Sequence, residues 1–285
     1  MTNHVPRSTV DVGPLVNPRE RIYFALVVVI SVLVYAGLIG LARSSDAVLV
    51  STLVVYGVMF AVFIAVSHGL LLGHVRGSGV HISERQFPVL HRAVQDQARA
   101  LGMKSAPEAY VLQSGGVLNA FATRSLRRDF VVLYSDVVAL SERGDTNALN
   151  FIVGHELGHH VRGHLKWRWL TAPGRVIPFL GAAYSRACEY TCDRVGERCA
   201  PEGALSGLLV LAAGKELHGS VDVREFSEQA DTHGGFWVVL AELLASHPHL
   251  SKRVQALLRA GAPVQRSPQR PMYAAAPLND MSLVP

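Results

Sequence analysis

Two long apolar runs dominate the first quarter of the chain. Residues 22–42 (IYFALVVVISVLVYAGLIGLA) carry no charge, and residues 47–73 form a second uncharged run interrupted by His68. At about 1.5 Å of helical rise per residue, each is long enough to cross a hydrocarbon core ~30 Å thick. Only Arg43-Ser44-Ser45-Asp46 separates them, so the pattern predicts a transmembrane helical hairpin over 22–73. A pair of buried core helices is the plainer alternative, but the lengths favour spans. The first run is too long for a signal-peptide core.

The polar and apolar positions change character after residue 74. Residues 81–102 (HISERQFPVLHRAVQDQARALG) read as an amphipathic helix. EAYVLQ (108–113), VLNAFATR (117–124) and DFVVLYS (129–135) are rich in β-formers and predict a small sheet. From Asp145, a good N-cap, the chain runs to His164 without proline. Ala148, Phe151 and Ile152 fall on one side of this helix, and Leu149, Val153, Leu157 and Val161 on the other. A helix apolar on both sides is a buried helix. Gly154 and Gly158 share a face, and each costs about 1 kcal/mol relative to alanine, so a close approach of another element is predicted there. Residues 167–183 are apolar but contain Pro173, Pro178 and Arg175. They predict a dip into the membrane surface or a lid rather than a clean span. Residues 204–217 and 235–246 read as core helices, and Pro248 opens a helix within 246–261. The proline-rich stretch 262–285 is expected to be disordered.

The fold class expected is therefore α+β, mainly α. The domains expected are a cytoplasmic N-terminal segment (1–21), the transmembrane hairpin (22–73), one large domain (74–261) and the tail (262–285). There is no internal repeat.

Composition agrees: 49% of residues are hydrophobic, 17% are charged, and the mean hydropathy is +0.25. Arg7, Arg19 and Arg21 precede the first run and Arg76, Arg85 and Arg92 follow the second, with Arg43 between them. The positive-inside rule then puts both ends of the chain in the cytoplasm. A net charge of +5 suits an anionic lipid surface. No basic run is interleaved with aromatics, which argues against nucleic acid as a partner. Cys188, Cys192 and Cys199 recur with Val195 at helical spacing, as small buried residues rather than metal ligands or a disulfide framework.

The chemistry concentrates in His155-Glu156-Leu157-Gly158-His159. Chance supplies about 0.03 such H-E-x-x-H matches in a chain of this composition. On a helix, two histidines four residues apart lie on one face and can bind one zinc ion, while Glu156 sits where it can take a proton from water. Two satisfied core histidines are the bland alternative, but they leave an acid on a buried helix unexplained. His160 and His164 lie about 140° and 180° away round the helix, outside the same ligand shell, and read as a polar or interfacial face. Catalytic zinc usually takes a third protein ligand. Glu189, on a helix that Pro201 ends, is the best candidate. Asp193, four residues on, is placed to hold a histidine N–H. Two solvated acids among Arg186, Arg194 and Arg198 are the alternative.

With these motifs in order, the chain resembles the HtpX-like membrane zinc metallopeptidases, gluzincins related to the CAAX prenyl-protein endopeptidases. The resemblance covers roughly residues 20–260. It rests on the hairpin, Asn119-Ala120-Phe121-Ala122-Thr123, the H-E-x-x-H, the Glu189/Asp193 pair, and His247-Pro248 with Arg253. It implies a zincin-type protease domain facing the cytoplasm from the inner membrane, with one zinc ion per chain. The substrates implied are unfolded or membrane-associated polypeptides, as in protein quality control. It assigns His155, His159 and Glu189 as ligands and Glu156 as the base. Asn119 and Ala120 would belong to a substrate-pairing edge strand, and His247 and Arg253 would neighbour the site. One departure stands out: bacterial members usually carry a second hydrophobic hairpin after the zinc helix, and 167–183 is too short and interrupted to supply it. The other classes to weigh are a catalytically silent zinc-containing membrane scaffold, which would have no need of Glu156, and a binding protein with a histidine-rich face.

Overall fold

The computed structural model describes residues 10–43, 46–113, 120–125, 128–142 and 145–264. Helix α1 (Pro18–Ala42) is capped by the Asn17 side chain, and α2 (Ala47–Ser78) by Asp46. Both are long and apolar enough to cross a membrane. Most of their side chains are exposed. The last turns of the 32-residue α2 pack on the rest of the chain. Leu72 and Val75 are buried against the sheet, and His68 Nε2 meets the Arg124 carbonyl at 3.0 Å. That contact accounts for the histidine in the second apolar run.

The sheet has the order β1-β2-β4-β3, from β1 (Val80–His81), β2 (Glu108–Leu112), β3 (Ala120–Ser125) and β4 (Arg128–Tyr134). β2 and β4 are parallel, and the outer pairings are antiparallel. Strand alternation sorts its side chains. Val111, Val131 and Leu133 join the main core, whereas Tyr110, Leu112, Phe130 and Val132 pack under α2. The sheet is thus covered on both faces, with β3 at an edge. The amphipathic stretch predicted as one helix over 81–102 divides: His81 ends β1, and α3 (Pro88–Ala100) starts only at Pro88, whose fixed φ and missing N–H suit a first turn.

After α4 (Ser135–Glu142) comes the central helix, α5 (Thr146–Val161), capped by the Asp145 side chain on Ala148 N at 3.0 Å. It is buried on nearly every side, as its sequence predicts. The chain then passes through turns and α6 (Ala172–Arg175) to α7 (Leu180–Cys199). α5 and α7 pack antiparallel and unusually close. A Cβ on Gly158 would lie 3.3 Å from Cys192 Cα, and one on Gly154 would lie 3.1 Å from Gly196 Cα. The two glycines are the groove that admits α7. Helices α8 (Ala204–Leu217), α9 (Val223–Thr232) and α11 (Leu250–Arg259) complete the core.

Helix α10 (Phe236–Leu244) does not belong to that core. Phe236, Trp237, Val239 and Leu244 are each more than half exposed, against the sequence reading of 235–246. An apolar run without periodicity cannot distinguish a core from another apolar surface. Arg186 holds this helix instead, donating to the carbonyls of Glu242, Leu243 and Ala245. The N-terminal segment packs on the large domain, with Val10 N bonded to Ala100 O and Asn17 N to Thr191 Oγ1. Ala262 is buried in the main core, so the ordered chain runs past 261; residues 265–285 of the expected disordered tail lie outside the described residues.

Replacing Gly154 with valine should test the groove. Its Cβ alone would stand 2.9 Å from Cys199 Cβ, and overpacking of this kind costs roughly 1–3 kcal/mol. Thermal unfolding in detergent should show Tm lower by several degrees. An unchanged Tm would mean that the helices do not approach as described.

Candidate metal centre

The α5–α7 groove brings three side chains to one point. His155 Nε2 lies 3.4 Å from Glu189 Oε2, and His159 Nε2 lies 3.4 Å from Glu189 Oε1. A ligand atom from each of His155, His159 and Glu189 lies within 4.8 Å of the others. The two imidazoles share a face because they are one turn apart on α5, and Glu189 comes from the facing turn of α7.

Behind this trio stands a charged support. His155 Nδ1 donates to Asp193 Oδ1 at 3.0 Å, which orients Nε2 toward Glu189. Arg253 of α11 clamps Asp193 with two hydrogen bonds of 2.8 and 2.6 Å, and its third nitrogen lies 3.3 Å from Glu189. All four groups are buried. Burial raises the Asp193 carboxyl, but Arg253 and His155 outweigh it and hold the group below its ordinary range. Glu189 is likewise held well below that range against burial, by His155, His159 and Arg253. Burial lowers the His155 pKa, yet Asp193 and Glu189 overturn this and raise it to about 10. Two imidazole nitrogens and a carboxylate oxygen are a donor set that fits zinc.

His159 has a second, separate support that the sequence reading missed. The helix ends at Val161, short of the predicted His164, and Gly163 takes a left-handed φ of 73°. That turn folds His164 back, with its N–H on the His159 carbonyl at 3.1 Å. His164 is buried, not on a polar face: its Nδ1 lies 3.1 Å from His159 Nδ1, and its Nε2 lies 3.2 Å from Glu20 Oε1. Glu20 also accepts from Arg162 Nη2 at 2.8 Å and from Thr191 Oγ1. His160 is buried too, with Nε2 3.0 Å from the Phe130 carbonyl. The signal available in the sequence was the glycine after Arg162, which stops the helix and invalidates angles counted beyond it.

A cavity of about 220 Å³ opens over the trio. His155, His159, Glu189 and Glu156 line it together with Phe151, Ile152, Leu165 and Leu211. Among the described residues no hydrogen bond or ion pair holds the Glu156 carboxylate. Ala120, Phe121 and Ala122 of edge strand β3 form part of the wall; Asn119 lies outside the described residues. His247 stands at the mouth, two-thirds exposed, with Nε2 3.6 Å from Glu189 Oε1. The three cysteines are free thiols; Cys188 and Cys192 are buried, and the Cys192 side chain fills the space against Gly158.

A helix bearing H-E-x-x-H, faced by a glutamate from a second helix, defines a metallopeptidase type of centre. The model of peptidase family M48 matches residues 84–172 and 171–260, more than half of the chain. The chain belongs to this family of zinc metallopeptidases. No curated protein and no solved structure matches it.

Arg253→Met should expose the cost of the buried carboxylates. Removing one partner from such a network typically costs about 3–5 kcal/mol. The Tm of the chelator-treated protein is expected to fall accordingly, with partial recovery in Arg253→Lys, which lacks the two-pronged geometry. An unchanged metal-free Tm would show that the guanidinium does not neutralise the pair.

Proposed function

We propose that this chain is a membrane-anchored zinc endopeptidase that cleaves unfolded or membrane-associated polypeptides. The observation that carries the reading is the convergence of His155, His159 and Glu189 on the floor of a cavity whose wall is an edge strand. In this reading the three side chains hold one zinc ion per chain, and Asp193 and Arg253 keep His155 and Glu189 in place. When bound, zinc supplies a Lewis acid that acidifies water and polarises a carbonyl. Glu156 takes the proton from the attacking water and returns it to the leaving amine. The unengaged state of its carboxylate supports this role. β3 pairs with substrate backbone around Asn119 and Ala120, a mode of binding indifferent to most side chains. His247, at the mouth, meets substrate as it enters.

The domain division proposed is an N-terminal segment (1–21), a hairpin of α1 and α2 within 22–73, a peptidase domain (74–261) and a tail (262–285). The exposure of both apolar helices supports a lipid surround, and the arginines flanking them support a peptidase domain on the cytoplasmic side of the inner membrane.

Glu156→Gln is expected to lower kcat on casein by roughly 10²–10⁴-fold while zinc content by mass spectrometry stays at one per chain. Glu189→Ala should lose the metal as well. Near-normal turnover in Glu156→Gln would remove the proposed base, and one zinc per chain with no casein cleavage by the unaltered protein would point to a silent scaffold.

Topology is tested separately, in a variant whose three native cysteines are replaced. A cysteine at Ser45 is expected to react with an impermeant label in intact cells, and one at Ser267 only after permeabilisation. External labelling at Ser267 would put the peptidase domain on the far side of the membrane.

A further inference from the structure

We propose that residues 165–179 form a re-entrant segment, seated among lipid acyl chains against α1 without crossing the bilayer. The proposal rests on the reading of α1 as a membrane span. Contacts with α1 fix the height of this segment one by one. It starts after His164, beside Glu20 at the base of α1. It rises to Trp169, whose carbonyl accepts from Tyr35 Oη at 3.1 Å. It returns past Gly174, whose N–H donates to Ser31 Oγ at 3.0 Å. A Cβ on Gly174 would lie 2.3 Å from the Val27 carbonyl, so the two backbones touch. The descent ends with Tyr184 stacked on Phe24, ring centroids 5.7 Å apart. Ser31 and Tyr35 stand ~14 and ~20 Å along the helix from Ile22. The chain therefore reaches roughly half to two-thirds of the way through a hydrocarbon core ~30 Å thick and comes back on the same side.

Its surface suits that place. Trp169, Leu170 and Val176 are all more than half exposed, and no acidic residue occurs between Glu156 and Glu189. Three cations lie in the segment, Lys166, Arg168 and Arg175; Arg168 is half-buried, and Arg175 turns inward. It donates to the carbonyl of His164 and to Thr171 Oγ1, both at 3.0 Å, and its guanidinium stacks on Tyr184 at 4.8 Å. Lys166 lies over the Trp167 ring at 5.1 Å, and its stem can carry the ammonium to the interface. Irregular backbone is tolerated at membrane depth only where its polar groups are satisfied. Here Thr171 N, Arg175 N and Val176 N bond within the segment, and Gly174 N bonds to α1. Leu165, where the segment leaves the domain, lines the cavity over His155 and His159. The segment thus links the bilayer interior directly to the wall of the metal centre.

The chain has three tryptophans, so Trp237→Phe leaves only Trp167 and Trp169 as reporters. This full-length variant is reconstituted into phosphatidylcholine vesicles and its emission is measured with lipids brominated either near the headgroup or near mid-chain. The result expected is loss of most of the emission to mid-chain bromine, a smaller loss to headgroup-proximal bromine, and little quenching by aqueous iodide. Strong iodide quenching with no bromine effect, in protein that still floats with the vesicles, would overturn the re-entrant segment alone and make 165–179 a water-facing lid. Failure to float with vesicles would overturn the membrane reading and this inference with it.

Discussion

Two carboxylates one turn apart on α7, Glu189 and Asp193, are buried, and the rest of the molecule is arranged around that expense. An ionised carboxylate inside a protein must be paired or it takes up a proton. Arg253 is brought from α11 to meet both, and His155 from α5 to meet each with a different ring nitrogen. His155 reaches them because α5 and α7 lie nearly in backbone contact, which Gly154, Gly158 and Gly196 permit. A glycine in a helix interior sacrifices local stability. Here the sacrifice sets the distance between a histidine pair and a glutamate.

The two histidines are supported by different parts of the chain. His155 is held through Asp193 and Arg253, all within the family-matched region. His159 is backed by His164, and behind it by Glu20 at the foot of α1. Burial pushes the His164 pKa below its ordinary value against the pull of Glu20. The base of the first apolar helix thus reaches within two side chains of the candidate metal centre. α2 has a comparable double role, since its last turns roof one face of the sheet and its His68 meets a carbonyl of β3.

Much of this was legible before the fold was known. Periodicity marked α5, its cap at Asp145, the buried nature of both its sides, and the three principal strands. Four-residue spacing marked both the histidine pair and the Glu189/Asp193 pair, because one helical turn is a local geometric fact. The errors have equally local causes. Angles counted along α5 to His164 assumed a helix that Gly163 had already ended. The amphipathic pattern over 81–102 concealed a two-residue strand, too short to show alternation. The run 235–246 is apolar, and apolarity alone does not say which apolar surface will cover it.

The sequence by itself determined which side chains share a helix face, which helices present them, and which two segments are long and apolar. These follow from spacing and composition, which act over a few residues. Only the tertiary structure decided that Arg253 serves both carboxylates, that His164 and Glu20 stand behind His159, and that 165–179 climbs α1. Those contacts join residues 60 to 144 positions apart, or in the case of His164 with His159 depend on a turn beyond the helix end. No local propensity encodes such a contact; it exists only once the buried charges and the close helix pair have been satisfied together.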